Sequence, residues 1–226
     1  LRYILEYHLS VKGHRIMSTL TIAIMAGGKS SRMGTDKSFV PLLGKPMIEH
    51  ILERVSGLDQ DETILITNRP QDYDHLALPM FTDVFPGKGS LGGIYTAIRY
   101  SRSEYTFVIA CDMPFVNPAL MRYMIALRGE REGPYDVIVP RVEGHPQGLH
   151  AIYGQACLEP IRSQLDANRL KVIGFYDQVR VRYLDPAEYA RLDPDGLALH
   201  NINTPEELEA ARQLARLKGQ NSAAEE

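Results

Sequence analysis

The sequence predicts a three-layer α/β sandwich, a mainly parallel sheet with helices on both faces. Short runs of strand-forming residues alternate with stretches whose apolar side chains recur at helical spacing. One run, YTFVIAC at 105–111, is almost entirely apolar, as a strand covered on both faces must be. A third observation concerns placement. The glycine-rich loop at 26–37, Asp83, Asp112 and the segment 201–203 all fall at strand ends or just after them. Ligands of open α/β sheets bind beyond the carboxyl ends of the strands.

The elements follow in order. LTIAIM at 20–25 is a β-rich run that ends in the glycine loop. Pro46 opens a helix over MIEHILERV, with Met47, Ile48, Ile51, Leu52 and Val55 on one face. ETILIT at 62–67 is the next strand, and PMFTD at 79–83 a shorter one. SLGGIYTAIRY at 90–100 reads as helical despite its glycines, and Asn117-Pro118 caps a helix over 118–128. DVIVPRV at 136–142 and HAIY at 150–153 are further strands. Two helical segments come next, and a final helix begins at Pro205. GQNSAAEE at 219–226 reads as an unstructured tail. Without internal repeats or a Pro/Ser-rich linker, residues 17–218 are expected to form one domain of Rossmann-like architecture.

Composition narrows the function. With a net charge of −3 over 226 residues, the chain lacks the strongly basic balance of a nucleic-acid binder, so no nucleic-acid partner is expected. Positive charge must therefore be local. Cys111 and Cys157 have no metal-ligand spacing and are expected to be buried thiols in a reducing cytoplasm. No apolar run approaches membrane-spanning length. Residues 1–16 lack the sustained apolar core of a signal peptide and are expected to be an extension outside the fold.

The stretch MAGGKSSRMGTDK at 25–37 concentrates that positive charge. It is not a P-loop, because the leading glycine would have to be Ala23 inside the strand, and Gly27, Gly28 and Gly34 do not fit the dinucleotide fingerprint. Gly27 and Gly28 permit close backbone approach to a ligand, and successive N–H groups there can form an anion-binding concavity. Lys29, Arg32 and Lys37 add cations, Arg32 with a fork suited to phosphate oxygens. The competing reading is a glycine turn with solvated charges.

The motif A-G-G-x-S-x-R-M-G-x-D-K from Ala26 to Lys37, followed by PLLGKP, resembles the signature of the molybdenum cofactor guanylyltransferases, a branch of the nucleotidyltransferase superfamily. FTDVFPGKGSLGGIYTAI, ACDMPF, HPQGLHAIY and NINTPEEL match in the same order, so the resemblance spans residues 19 to 215. It implies that Met25, Ala26, Gly27, Lys37, Asp83 and Asp112 bind the nucleotide, and that Arg32, Lys37 and Asp112 serve catalysis. It also implies that Asp112 holds Mg2+; a turn-capping aspartate is the alternative that the residues alone leave open. Asn201 and Asn203 would lie beside the second substrate, although Thr204-Pro205-Glu206-Glu207 is by itself a helix-capping box. His145-Pro146 matches the part that faces the pterin and is kept out of the catalytic set. In that family an asparagine near the end of the second strand can contact guanine; the register of Ile66-Thr67-Asn68 does not assign that role here.

The implied reaction transfers GMP from GTP to molybdenum-bearing molybdopterin. GTP and molybdopterin would be the substrates, with molybdoenzymes or cofactor-delivery proteins as further partners. The attacking phosphate has a second pKa of about 6 and is mostly dianionic at neutral pH, so no protein nucleophile is needed. The rivals are CMP transfer from CTP and a GTP-binding module without catalysis.

Overall fold

The structure is a computed structural model that describes residues 19–27, 37–129 and 134–222. The extension 1–16 and most of the glycine loop, including Gly28, Lys29 and Arg32, lie outside the described residues.

Strand β1 (Leu20–Met25) is an interior strand of the main sheet. A two-stranded hairpin, β2 (Pro41–Leu42) and β3 (Lys45–Pro46), leads into α1 (Met47–Val55). Its turn, Leu43-Gly44, has both residues at positive φ, 50° and 84°, the geometry that matches the twist of a two-residue hairpin. The chain continues through β4 (Glu62–Ile66), β5 (Met80–Phe81), α2 (Gly89–Tyr100), β6 (Tyr105–Ala110) and α3 (Pro118–Leu127). Then come β7 (Val137–Val142), β8 (His145–Pro146), β9 (His150–Gly154), α4 (Leu158–Asp166), β10 (Val181–Leu184), α5 (Pro186–Tyr189) and α6 (Pro205–Ser222).

The order across the sheet is β10-β7-β9-β6-β1-β4-β5, with β8 paired to β7. β1, β4, β5, β6, β7 and β10 all run the same way; β9 runs against β6 and β7. From β1 the chain moves outward to β4 and β5, then crosses to β6 on the other side of β1. The carboxyl ends of β1 and β6 thus flank the point where strand order reverses, which is where an open sheet has its crevice.

Alternation along the strands separates two cores. Leu20, Ile22 and Ile24 of β1 join Phe107 and Ile109 of β6 under α1 and α3. Ala23, Ile64, Ile66 and Val108 face the opposite side, under α2 and α4. Each fully buried aliphatic side chain contributes about 1.5–3 kcal/mol of transfer free energy, so this two-sided burial fixes the register of every central strand. Asn117 caps α3 as its sequence predicts: Oδ1 accepts from the N–H of Ala119 (2.8 Å) and Leu120 (3.3 Å).

The structure departs from the sequence reading at several points. The second helical segment after β9 is a 3-10 helix, Val172–Gln178, and the edge strand β10 and short α5 after it are additional. β10 escapes a periodicity test because three of its four residues are only half-buried, and Arg182 is held there by an ion pair to Glu188 (2.6 Å). Cys157 is buried as expected, but Cys111 is half-buried, because it stands just past the carboxyl end of the interior strand β6, where the chain leaves the sheet. Helix α6 runs to Ser222, so 219–222 continue a helix where a tail was expected; 223–226 lie outside the described residues. Among the described residues no helix is long and apolar enough to cross a membrane.

Candidate active site

The end of β1 is tied to both neighbours before the chain leaves the sheet. Ala26 N–H donates to the Ile66 carbonyl (2.9 Å), and Cys111 N–H donates to the Met25 carbonyl (3.1 Å). Met25, Ala26 and Gly27 therefore emerge at a fixed place between β4 and β6. They line a cleft of about 520 Å³ together with Asn68, Asp83 and Gly93. The far end of the glycine loop is also anchored. Lys37 begins a short 3-10 turn, Lys37–Phe39, in which Ser38 Oγ accepts from Tyr73 (2.9 Å) and Phe39 stacks on the Tyr73 ring.

Asp83 and Asn68 hold one another. The Asn68 side-chain amide donates to Asp83 Oδ2 (2.8 Å), and Asp83 N–H donates to Asn68 Oδ1 (3.0 Å). Val84 N–H donates to Thr96 Oγ1 (3.0 Å), which fixes this strand end against α2. A reciprocal pair, one bond of it to a carboxylate, orients both side chains without spending all their hydrogen-bonding capacity. The first residues of α2, Gly89 and Ser90, also line the cleft, so the positive end of a twelve-residue helix opens on it. Gly93, one turn further on, is where α2 passes β1. A Cβ there would overlap Met25 Cε and approach Asp83 Oδ1 to 3.8 Å.

Asp112, Asn201 and Asn203 form a second group, outside the lining of that cleft. Asp112 follows β6 and is half-buried, one residue beyond the Cys111 that bonds to Met25. Its carbonyl accepts from Ile202 N–H (2.8 Å), which brings the segment 201–203 beside it. Ile202 is fully buried, and Asn201 and Asn203 on either side are half-buried. The capping box at α6 is present: Glu207 N–H donates to Thr204 Oγ1 (3.1 Å), and Glu207 Oε2 accepts from the N–H of Asn203 and Thr204. Capping leaves the Asn201 side chain unexplained. Its Oδ1 is buried and has no hydrogen-bond partner among the described residues.

That orphaned amide oxygen bears on whether the site suits Mg2+. Among the described residues there is no group of three or more His, Cys, Asp or Glu side chains that could cage a metal ion. Mg2+ needs no such cage; it takes one or two carboxylates and completes its octahedron with water and substrate phosphates. A half-buried carboxylate at Asp112 and a buried, unsatisfied hard oxygen on the segment bonded to it fit that requirement. His145 is exposed in β8, and His150 is interior, edge-on to Phe107 (ring centroids 5.2 Å apart), with burial holding its pKa down to about 3.

The structure thus gathers Met25, Ala26, Gly27 and Asp83 in one cleft, and Asp112 with Asn201 and Asn203 beside it. Lys37 is described through its backbone only, and Arg32 lies outside the described residues. Sequence reasoning gave no role to Asn68, Gly93 or Ser90. The carboxyl-end rule could have marked Asn68, which follows a strand adjacent to β1, but only the pairing of Met25 with Ile66 shows that it reaches the cleft.

Comparison with known proteins agrees with this architecture. Residues 22–179 match the MobA-like NTP transferase domain. The molybdenum cofactor guanylyltransferase of Desulfosudis oleivorans is 36% identical over 196 residues, covering 86% of this chain and 95% of that protein. The crystal structure of molybdopterin-guanine dinucleotide biosynthesis protein A from Archaeoglobus fulgidus superposes with a TM-score of 0.75 at 26% identity, over 87% of this chain and 98% of that one. A fold with its crevice at the β1/β6 switch point, the cleft there and these matches together identify the chain as a nucleotidyltransferase of the MobA-like, molybdenum cofactor guanylyltransferase family.

Proposed function

We propose that this enzyme transfers GMP from GTP to the terminal phosphate of molybdenum-bearing molybdopterin. A pterin phosphate oxygen forms a new bond to the α-phosphorus of GTP, the bond from that phosphorus to the β-phosphate bridge breaks, and pyrophosphate leaves. One observation carries the reading. The cleft at the end of β1 and the Asp112–Asn201 group are joined at their backbones, through Cys111 to Met25 and Ile202 to Asp112, so two anionic substrates can meet across the switch point. The names of the relatives support a guanine nucleotide and molybdopterin as those substrates.

In this reading Met25, Ala26, Gly27, Asn68 and Asp83 hold the nucleoside, and the α2 N-terminus, Arg32 and Lys37 offset phosphate charge. Asp112 would hold Mg2+, which when bound supplies charge neutralisation at the phosphates, and Asn201 and Asn203 would face the pterin. No side chain is asked to be a nucleophile or a strong base, because the attacking phosphate is already largely deprotonated at neutral pH. Catalysis rests on alignment and electrostatic offset.

Base choice tests the proposal. A pocket whose polar groups satisfy guanine leaves some unpaired with cytosine, which is costly when they are desolvated. GTP should be preferred over CTP by at least about 100-fold in kcat/KM, with ATP and UTP poor. Competition between equal GTP and CTP, with purified protein, Mg2+ and molybdopterin, measures it. Predominant CMP transfer would reject the guanylyl assignment, and failure to release pyrophosphate with any nucleotide would favour a binding module.

A further inference from the structure

We infer that α6 is a positioning element for the second-substrate half of the site, and that it acts through Leu208. This rests on the reading that Asn201 and Asn203 face that substrate. The segment 201–203 belongs to no helix or strand, so no ladder of backbone bonds fixes it. Besides the bond from Asn203 N–H to Glu207 Oε2 of the capping box, two ties hold its middle residue. One is the bond from Ile202 N–H to the Asp112 carbonyl (2.8 Å). The other is the Ile202 side chain, fully buried in a small apolar cluster separate from the two main cores.

That cluster consists of Val40, Leu42, Met47, Ile202, Leu208 and Ala211, with Phe115 packed against it. Leu208 and Ala211 are three residues apart on α6 and so share a face. Arg212 Nη2 donates to the Pro41 carbonyl (2.8 Å), which pins α6 to the β2–β3 hairpin. Ile202 is therefore clamped between the hairpin and α6, and in an extended segment its neighbours point the other way. The clamp sets where Asn201 and Asn203 stand relative to Asp112. No residue of the cluster lines the nucleotide cleft. Loosening it should displace the asparagines and leave nucleotide binding alone.

The test compares Leu208→Ala, Leu208→Met and Asn201→Ala in the full chain, assayed well below each protein's melting temperature. GTP affinity is measured by calorimetry and transfer by steady-state kinetics with molybdopterin. Leu208→Ala should lower kcat/KM for molybdopterin by about 10- to 100-fold, the scale of a misplacement near 1 Å, with GTP affinity unchanged. Leu208→Met, which conserves volume, should restore most of the loss. A variant that melts earlier but turns over normally would overturn the positioning role, as would an equal loss of GTP affinity. If Asn201→Ala is impaired and Leu208→Ala is not, the positioning role fails while the reading of the site stands. If Asn201→Ala is native, the reading of the segment fails and the inference with it. Should Leu208→Ala not fold, Arg212→Met removes the Pro41 bond, together with a surface ion pair to Glu209 within α6 (3.5 Å), and should show the same split on a smaller scale.

Discussion

His150 makes a quantitative claim about stability that can be tested without any substrate. It sits in β9 opposite Ile109, fully buried, with neither ring nitrogen hydrogen-bonded among the described residues. Burial alone lowers its pKa from 6.5 to about 3. The unfolded chain therefore binds a proton near pH 6.5 that the folded chain refuses until about pH 3. For a base with a depressed folded pKa, the stability is fully present above pH 6.5 and is lost as pH falls toward 3. Integrating the linkage between those values gives a loss of about 2 kcal/mol at pH 5 relative to neutral pH. His150→Leu removes the titration and two unsatisfied buried nitrogens, so it should be neutral or stabilising at pH 7.5. Urea denaturation of both proteins at pH 7.5 and pH 5.0 gives the comparison, since contributions from other groups cancel in the difference. His150→Leu should lose about 2 kcal/mol less than the native protein across that interval. Equal losses would mean that His150 does not refuse the proton and that its ring has a partner or a path to water.

Two further outcomes follow from the site. Asp112→Ala should cut Mg2+-dependent turnover by at least about 100-fold, the effect of removing one strong electrostatic stabiliser, with an unchanged melting temperature; near-native activity would remove Asp112 from the metal site. Gly93→Ala should raise the KM for GTP about tenfold or more while kcat changes little, because the new methyl displaces Met25 at the cleft and alters ground-state and transition-state binding alike; an unchanged KM would show that Met25 relaxes freely.

What the sequence made legible was local, and what it hid depended on partners distant in the chain. The strand–loop junction at Met25-Ala26-Gly27, the Asn117 cap and the capping box at Thr204 are written in consecutive residues, so their physics needs no tertiary context. Strand direction is different. Nothing in HAIY says that β9 runs against β6; that follows from the connection before it, where Glu143 and Gly144 turn the chain at positive φ and too few residues remain for a crossover. Asn68 shows the same limit. Its character as a polar residue after a strand is visible, yet its role depends on a bond to Asp83, fifteen residues on, and on β4 lying beside β1. The Asp112–Ile202 bond spans ninety residues, and no periodicity could announce it. The proposed nucleotide half of the site is built from strand ends whose register the main cores enforce, whereas the second half is held by the Asp112–Ile202 backbone bond, the Glu207 capping contact and a small cluster closed by α6. The half proposed to bind the nucleotide should therefore be the stiffer one, and the half proposed to receive the pterin the more easily displaced, as expected where substrates of different size must be brought into line.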